Sequence, residues 1–204
     1  MRRRVIITQA RMTSTRLPGK VLREVRGKSL LEYHLDRLRR VRRADEVVVA
    51  TTTNSSDDAI VDLCDRIHVP YFRGSEEDVL GRFYGAAMQY SASVVIRVTS
   101  DCPLIDPAVV DRVITEFAGK PYSHDYASNT LERTYPRGLD CEAFSFSALE
   151  TAHTEAVAGP DREHVTPFLY RQPDRFRLKS VRAPRDYSHY RWTVDTPEDF
   201  AMVA

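Results

Sequence analysis

The chain has 204 residues, 42% of them hydrophobic, which is enough for one α/β domain with a sizeable core and short for two. Its 30 lysines and arginines against 29 acids leave a formal charge of +1, which argues against a charged disordered tail and against a basic nucleic-acid-binding surface. No stretch approaches the length of a membrane span, and Cys64, Cys102 and Cys141 are far apart, odd in number and without metal-ligand spacing, so the reading is a reduced, cytoplasmic protein with no membrane partner.

Met1-Arg2-Arg3-Arg4 has the charge of a signal-peptide start, but the apolar run behind it is short and soon meets Arg11. That run, residues 5–8, is β-branched and predicts a buried strand. The loop QARMTSTRLPGK follows at 9–20. Ser29 with Glu32 predicts a capping box, and Leu31, Leu35 and Leu38 give the helix one apolar face. Its far end carries Arg39, Arg40, Arg42 and Arg43, cations suited to a helix C-terminus facing water. EVVVA at 46–50 predicts the second strand, and Ser56 the cap of a helix presenting Ala59, Ile60, Leu63, Cys64 and Ile67. Tyr71 and Phe72 predict a short strand, residues 78–90 a helix, and residues 93–99 a strand. Asp106 before Pro107 predicts the start of another helix.

Strands and helices alternate through this half, and the strands are apolar throughout. The expected fold class is therefore α/β, a mostly parallel, doubly wound sheet covered by helices on both faces, with its ligand crevice beyond the strand C-termini. The second half alternates less cleanly. Residues 141–146 and 176–181 read as strands, and 147–157 and 161–171 as helices. We expect one domain, 1–204, with a nucleotide-binding half to about residue 120 and a substrate half from about 121. Thr196-Pro197 opens a helix that runs only to Ala204, which reads as a trimmed or truncated final helix.

Three stretches carry chemistry. The 9–20 loop follows a strand, and Arg11, Arg16, Lys20 and the Ser14 hydroxyl suit a phosphate chain, although GxxxxGK[ST] and GxGxxG are both missing. The same residues also suit a solvated basic loop. Asp101 ends a buried strand, where a carboxylate can share Mg²⁺ with phosphates; it also suits a turn. Asp195 ends another β-like run and fits a second metal carboxylate, or a residue beside the Thr196 cap. Asp106 is read as a helix cap. His34, His68, His124, His153 and His189 lack ligand spacing.

ARMTSTRLPGK resembles the nucleotide-binding signature ARxxSxRLPGK of the sugar cytidylyltransferases, among them the enzymes that make CMP-activated 3-deoxy-octulosonate and acylneuraminate. FRGSEEDVLGRF, RVTSDCPLIDP, YPRGLDCEAFSFSALE, DREHVTPFLY and RWTVDTPEDF extend the resemblance to the spore-coat polysaccharide biosynthesis (SpsF-like) family over nearly the whole chain. The resemblance implies a nucleotide-diphospho-sugar transferase (GT-A-like) fold and Mg²⁺-dependent attack of a sugar or sugar-acid oxygen on the α-phosphorus of CTP. It implies Lys20, Arg11 and Arg16 on the triphosphate as the catalytic cations, Mg²⁺ on Asp101 and Asp195, and a possible homodimer. For the nucleotide base it points to Ala10, to Thr51 and Thr52, and to Gly74, Ser75 and Asp78, although those hydroxyls also suit ordinary loop residues; Arg82 on the following helix also suits a solvated helix charge.

The acceptor is expected in the second half, where Asn129, Arg137, Asp140 and Glu142 cluster. An arginine there can pair with a carboxylate or phosphate, and Asp140 and Glu142 alternate along a strand. An exposed strand face is the other reading. Arg162, Glu163 and His164 serve an ion pair, a dimer contact or the substrate equally well. Three other functions compete with cytidylyl transfer. A glycosyltransferase on the same fold would carry DxD where this chain has Asp-Cys-Pro. A non-catalytic nucleotide-binding module would not need both carboxylates and the lysine. An RNA binder lacks the basic field.

Overall fold

The computed structural model describes residues 3–119 and 124–204, so Met1, Arg2 and the division expected near residue 120 lie outside it. In chain order the elements are β1 (Arg4–Gln9), β2 (Glu24–Val25), β3 (Lys28–Ser29), α1 (Leu30–Leu38), β4 (Glu46–Thr52), α2 (Asp58–Arg66), β5 (Tyr71–Gly74), α3 (Val79–Gln89), β6 (Val94–Thr99) and α4 (Pro107–Phe117). Then follow β7 (Tyr126–Ser128), β8 (Glu142–Ser145), α5 (Phe146–Glu155), α6 (Gly159–His164), α7 (Pro167–Tyr170), β9 (Leu178–Ser180) and α8 (Pro197–Val203).

Seven strands form one sheet in the order β5-β4-β1-β6-β8-β7-β9. β1 pairs in parallel with β4 and β6, and β5 extends the parallel set. β8 runs antiparallel to both neighbours, and β9 is parallel to β7. The mostly parallel, doubly wound sheet expected from the alternation is thus observed. Side chains alternate across it, so Val5 and Ile7 join Phe83, Phe144 and Leu149 on one face, while Ile6 joins Ile96, Val110 and Ile114 on the other. Leu31, Leu35, Ile60 and Leu63 of α1 and α2 meet Val49 on that second side. Each fully buried Leu, Ile or Phe contributes about 1.5–3 kcal/mol of transfer free energy. Among the described residues no helix is long and apolar enough to cross a membrane, and the three cysteines are free and buried.

Local signals place the helix starts. Ser29 and Glu32 form the expected capping box, and Asp78, Asp106 and Thr196 cap α3, α4 and α8 through their own side chains. Four expectations need correction. α2 is preceded not by a Ser56 cap but by a single 3₁₀ turn, Ser55–Asp57, with Asp57 at the N-cap position. The basic loop continues into an unforeseen hairpin of β2 and β3, whose turn residues Arg26 and Gly27 both have positive φ. β7, a buried three-residue strand, was also not anticipated. Finally, the helix expected over 161–171 is two helices. Val165 turns at φ 72 and Pro167 begins α7, because proline disfavours helix in the residue before it and has no N–H to continue the ladder.

Candidate active site

The chain leaves β1 toward β4 on one side and returns to β6 on the other, so the order of the parallel strands reverses at the C-terminal ends of β1 and β6. A cleft of about 350 Å³ opens there, lined on one side by Ala10, Arg11, Ser14, Arg16 and Lys20 and on the other by Thr99, Ser100 and Asp101. Backbone bonds fold the basic loop over this end: Gly19 N–H donates to the Met12 carbonyl at 3.0 Å, and Lys20 N–H to that of Leu17 at 3.2 Å. Gly19 takes the left-handed φ of 66° that starts a short 3₁₀ turn at Lys20. The buried Leu17 pins the loop against Leu30 and Val194.

Lys20 is the centre of the charge arrangement. Its Nζ lies 2.8 Å from Asp195 Oδ1 and 3.2 Å from Asp101 Oδ2, and its side chain is only 12% exposed. Arg16 reaches Asp195 Oδ1 at 2.9 Å, and Arg191 bridges Asp195 at 2.9 Å and Asp199 at 2.9 Å. Burial opposes the Asp195 charge, yet Lys20, Arg191 and Arg16 outweigh it and hold the carboxyl below its ordinary value. The Asp101 carbonyl accepts from Val194 N–H at 2.7 Å and from the Thr193 hydroxyl at 3.1 Å, which docks the C-terminal segment beside β6. Two carboxylates converging on one cation are a fitting protein share for a divalent ion whose shell is completed by phosphate oxygens and water. Among the described residues no group of three or more His, Cys, Asp or Glu side chains is placed to hold a metal, so an ion here would need those outside ligands.

Three polar atoms lining the cleft are buried without a hydrogen-bond partner: Gln9 Oε1, Arg82 Nε and Arg97 Nε. Such atoms are costly unless a ligand or water meets them. Arg82 is not a solvated helix charge. It is 2% exposed, and its Nη1 donates to the Ser75 carbonyl at 2.5 Å. Burial, then the neighbouring Arg11 charge, pushes its guanidinium down to about 10 despite the pull of Asp57, Glu76 and Asp78.

The expected base contacts are placed differently. Thr51 and Thr52 are fully buried, and both hydroxyls donate to Asp57 Oδ2, at 3.1 and 2.6 Å. Asp57 Oδ1 accepts the Met12 N–H at 2.8 Å, so this trio shapes the basic loop from below and does not face the cleft. The signal for Asp57 is the first of two adjacent acids shortly after a strand ending in two threonines. Gly74, Ser75 and Asp78 also lie away from the cleft lining. Asp78 caps α3 by accepting from Gly81 N–H at 2.9 Å and pairs with Arg162 Nη2 at 2.5 Å. From this segment, Val79 and Arg82 reach the cleft instead.

A second cavity of about 270 Å³ adjoins the first and is lined by Thr130, Arg133, Asp140 and Glu142. Asp140 and Glu142 do share one side, as their spacing predicted. Arg137 is exposed and outside the cavity, its backbone paired with that of Tyr190 and Trp192; the arginine inside is Arg133, bound to both Asp140 oxygens at 2.6 and 2.8 Å. Asn129 is buried and occupied by backbone, donating to the Leu139 carbonyl at 2.7 Å and accepting Cys141 N–H at 2.9 Å. Glu142 accepts from the Tyr126 and Thr166 hydroxyls at 2.5 and 2.6 Å and pairs with Arg97. Burial works against the Arg97 charge, but Glu142 outweighs it and holds the guanidinium above its ordinary value.

His34, set aside for want of ligand spacing, joins three elements beneath the site. Its Nδ1 faces the Cys102 carbonyl at 2.9 Å and its Nε2 the Thr8 hydroxyl at 3.0 Å. A carbonyl only accepts, so Nδ1 carries the proton, and the Thr8 hydroxyl can donate to a bare Nε2. Burial pushes this imidazole down to about 4, against smaller pulls from the Cys102 carbonyl and Asp101. The unfolded chain therefore takes up a proton that the folded one refuses. Stability is full above the ordinary imidazole value and falls as pH drops toward 4. Between pH 7 and pH 5 this group alone removes about 2 kcal/mol. Urea unfolding across that range should show the slope, and His34→Gln should flatten it; an equal slope in the variant would refute the assignment.

The sequence profile described as cytidylyltransferase matches residues 5–203. The spore coat polysaccharide biosynthesis protein SpsF of Bacillus subtilis is 34% identical over 206 residues, covering 98% of this chain and 84% of that protein. The solved structure of a cytidylyltransferase from Leptospira borgpetersenii superposes with a TM-score of 0.94 at 34% identity, covering 98% of this chain and 84% of that one. A CMP:2-keto-3-deoxy-manno-octonic acid synthetase complexed with CTP superposes with a TM-score of 0.74 at 19% identity, covering 98% and 96%, a likeness of fold.

Proposed function

The chain belongs to the cytidylyltransferase family, and from that premise we propose that it transfers CMP from CTP to a sugar or sugar acid, with release of pyrophosphate, in the synthesis of a polysaccharide or glycoconjugate. The observation that carries this reading is Lys20 held between Asp101 and Asp195 at the mouth of a cleft bearing Arg11, Arg16 and Arg82. The acceptor brings its own nucleophile, so the protein's work is positioning and charge neutralisation. Lys20 and Arg16 meet the charge that builds on the leaving pyrophosphate, and Arg11 and the Arg82 Nε, which has no other partner, hold the remaining phosphate oxygens. The Gln9 Oε1 acceptor and the Ala10 backbone are the polar groups nearest β1 for the base. Asp101 and Asp195 are the residues that would hold Mg²⁺, which when bound neutralises the triphosphate and polarises its P–O bonds. The adjoining cavity of Arg133, Asp140 and Glu142 takes the acceptor. Three buried free cysteines fit a reducing cytoplasm.

Thermal unfolding with CTP, UTP, GTP or ATP, each with and without Mg²⁺, tests the reading. CTP at 100 times its Kd adds about 2.7 kcal/mol, a rise of about 5–10 °C in a chain of this size. The expected result is a CTP-selective rise enlarged by Mg²⁺, with pyrophosphate released once an acceptor is added. An equal rise with UTP or ATP would remove the base assignment, and no rise with any nucleotide would overturn the reading.

A further inference from the structure

Arg97, Thr99 and His164 line both the nucleotide cleft and the acceptor cavity. The bond between acceptor and α-phosphorus must form where the two spaces meet. A hydroxyl that attacks there has to give up its proton, and of these three side chains only an imidazole accepts one readily. A guanidinium has no acceptor site, and Thr99 faces the Cys102 thiol at 3.4 Å. The carboxylates nearby each line one space only: Asp101, Glu163 and Asp195 the cleft, Asp140 and Glu142 the cavity.

The backbone holds His164 at this junction from both sides. Two residues earlier, Arg162 grips Asp78 at the start of α3 through Nε at 2.9 Å and Nη2 at 2.5 Å, and donates to the His153 carbonyl at 2.7 Å. Two residues later, the Thr166 hydroxyl donates to Glu142 on the cavity floor at 2.6 Å, and its N–H donates to the His164 carbonyl at 2.9 Å. Between them Val165, fully buried, is kept at φ 72, a conformation a β-branched residue adopts only when its surroundings impose it. That turn ends α6 at His164, the residue that borders both spaces.

We propose that His164 is a catalytic base: it takes the proton from the acceptor hydroxyl as that oxygen bonds to the α-phosphorus. The bond from the α-phosphorus to the bridging oxygen breaks, and pyrophosphate leaves with the electron pair. The assignment rests on the transferase reading above. Its test compares wild type, His164→Ala and His164→Gln in the full chain. Pyrophosphate release from CTP is followed with 2-keto-3-deoxy-manno-octonic acid and with water alone as nucleophile, alongside the CTP-induced rise in melting temperature. Both variants should lose about 10²–10⁴-fold in turnover and keep the CTP-induced rise, and added imidazole should restore His164→Ala by about tenfold or more but leave His164→Gln unchanged. Turnover within about threefold of wild type, a loss that imidazole does not relieve, or loss of the CTP effect would each overturn the base. Wild type that binds CTP but releases no pyrophosphate with that acid, with water or with a panel of other sugars and sugar acids would instead overturn the transferase reading, a failure seen without any variant.

Discussion

Replacing Lys20 with methionine is expected to lower the turnover of CTP by about 10²–10³-fold with the fold intact, the loss typical of one preorganised charge donor. The lysine is the shared partner of Asp101 and Asp195, and without it Asp101 loses its ion pair and the triphosphate loses the ammonium fixed between the two carboxylates. Arg16 and Arg191 still pair with Asp195, which is why the fold survives. Lys20→Arg is not expected to rescue, because a planar fork does not reproduce a compact ammonium held between two carboxylates. Arg16→Ala should cost less, since that side chain is 63% exposed. Steady-state turnover at saturating CTP, with circular dichroism of each variant, checks this. A Lys20→Met enzyme within threefold of wild type would remove Lys20 from the chemistry.

The largest loss of stability is expected at Gly138. Its φ is 103°, and a Cβ there would stand 2.6 Å from the Trp192 carbonyl carbon and 2.7 Å from the Thr193 nitrogen. Both atoms are backbone, so neither can swing aside. Strained φ and overpacking each cost about 1–3 kcal/mol, so Gly138→Ala should lower the melting temperature by about 2–4 °C for every kcal/mol lost. The damage should not stop at stability. Trp192 N–H donates to the Arg137 carbonyl at 2.7 Å, and the same segment carries Asp195 into the site. Turnover of the folded fraction should therefore fall as well. A stable, fully active Gly138→Ala enzyme would refute this account of the contact.

What the sequence made legible was local. β1, β4 and β6 are apolar runs closed by polar loops, and Ser29, Asp78, Asp106 and Thr196 each cap a helix within three residues of themselves. The basic loop and Asp101 were readable because ligands meet such sheets beyond the strand ends, whatever the side chains' partners. What was missed depends on packing and pairing that the spacing of residue types does not set. β7 is three residues long and becomes a strand through β8 and β9. Arg82 follows the spacing of a helix, but only the packing of α3 decides that it faces the cleft. Thr51 and Thr52 read as free hydroxyls until Asp57 folds back on them. Arg133 and Arg137 are indistinguishable in a list of charges. The break between α6 and α7 could have been found, because Pro167 already forbids a continuous helix through Thr166.

The lysine bridge also bears on how the molecule assembles. It joins positions 81 and 175 residues apart. Closing so long a loop costs chain entropy that grows with the logarithm of its length, and contacts of such sequence separation form slowly. During refolding, the strands around β1 can pair while Lys20 still lacks its distant counter-charge. Regain of nucleotide affinity then marks the arrival of the last stretch of chain, and a kinetic trace of CTP binding would lag the recovery of the sheet.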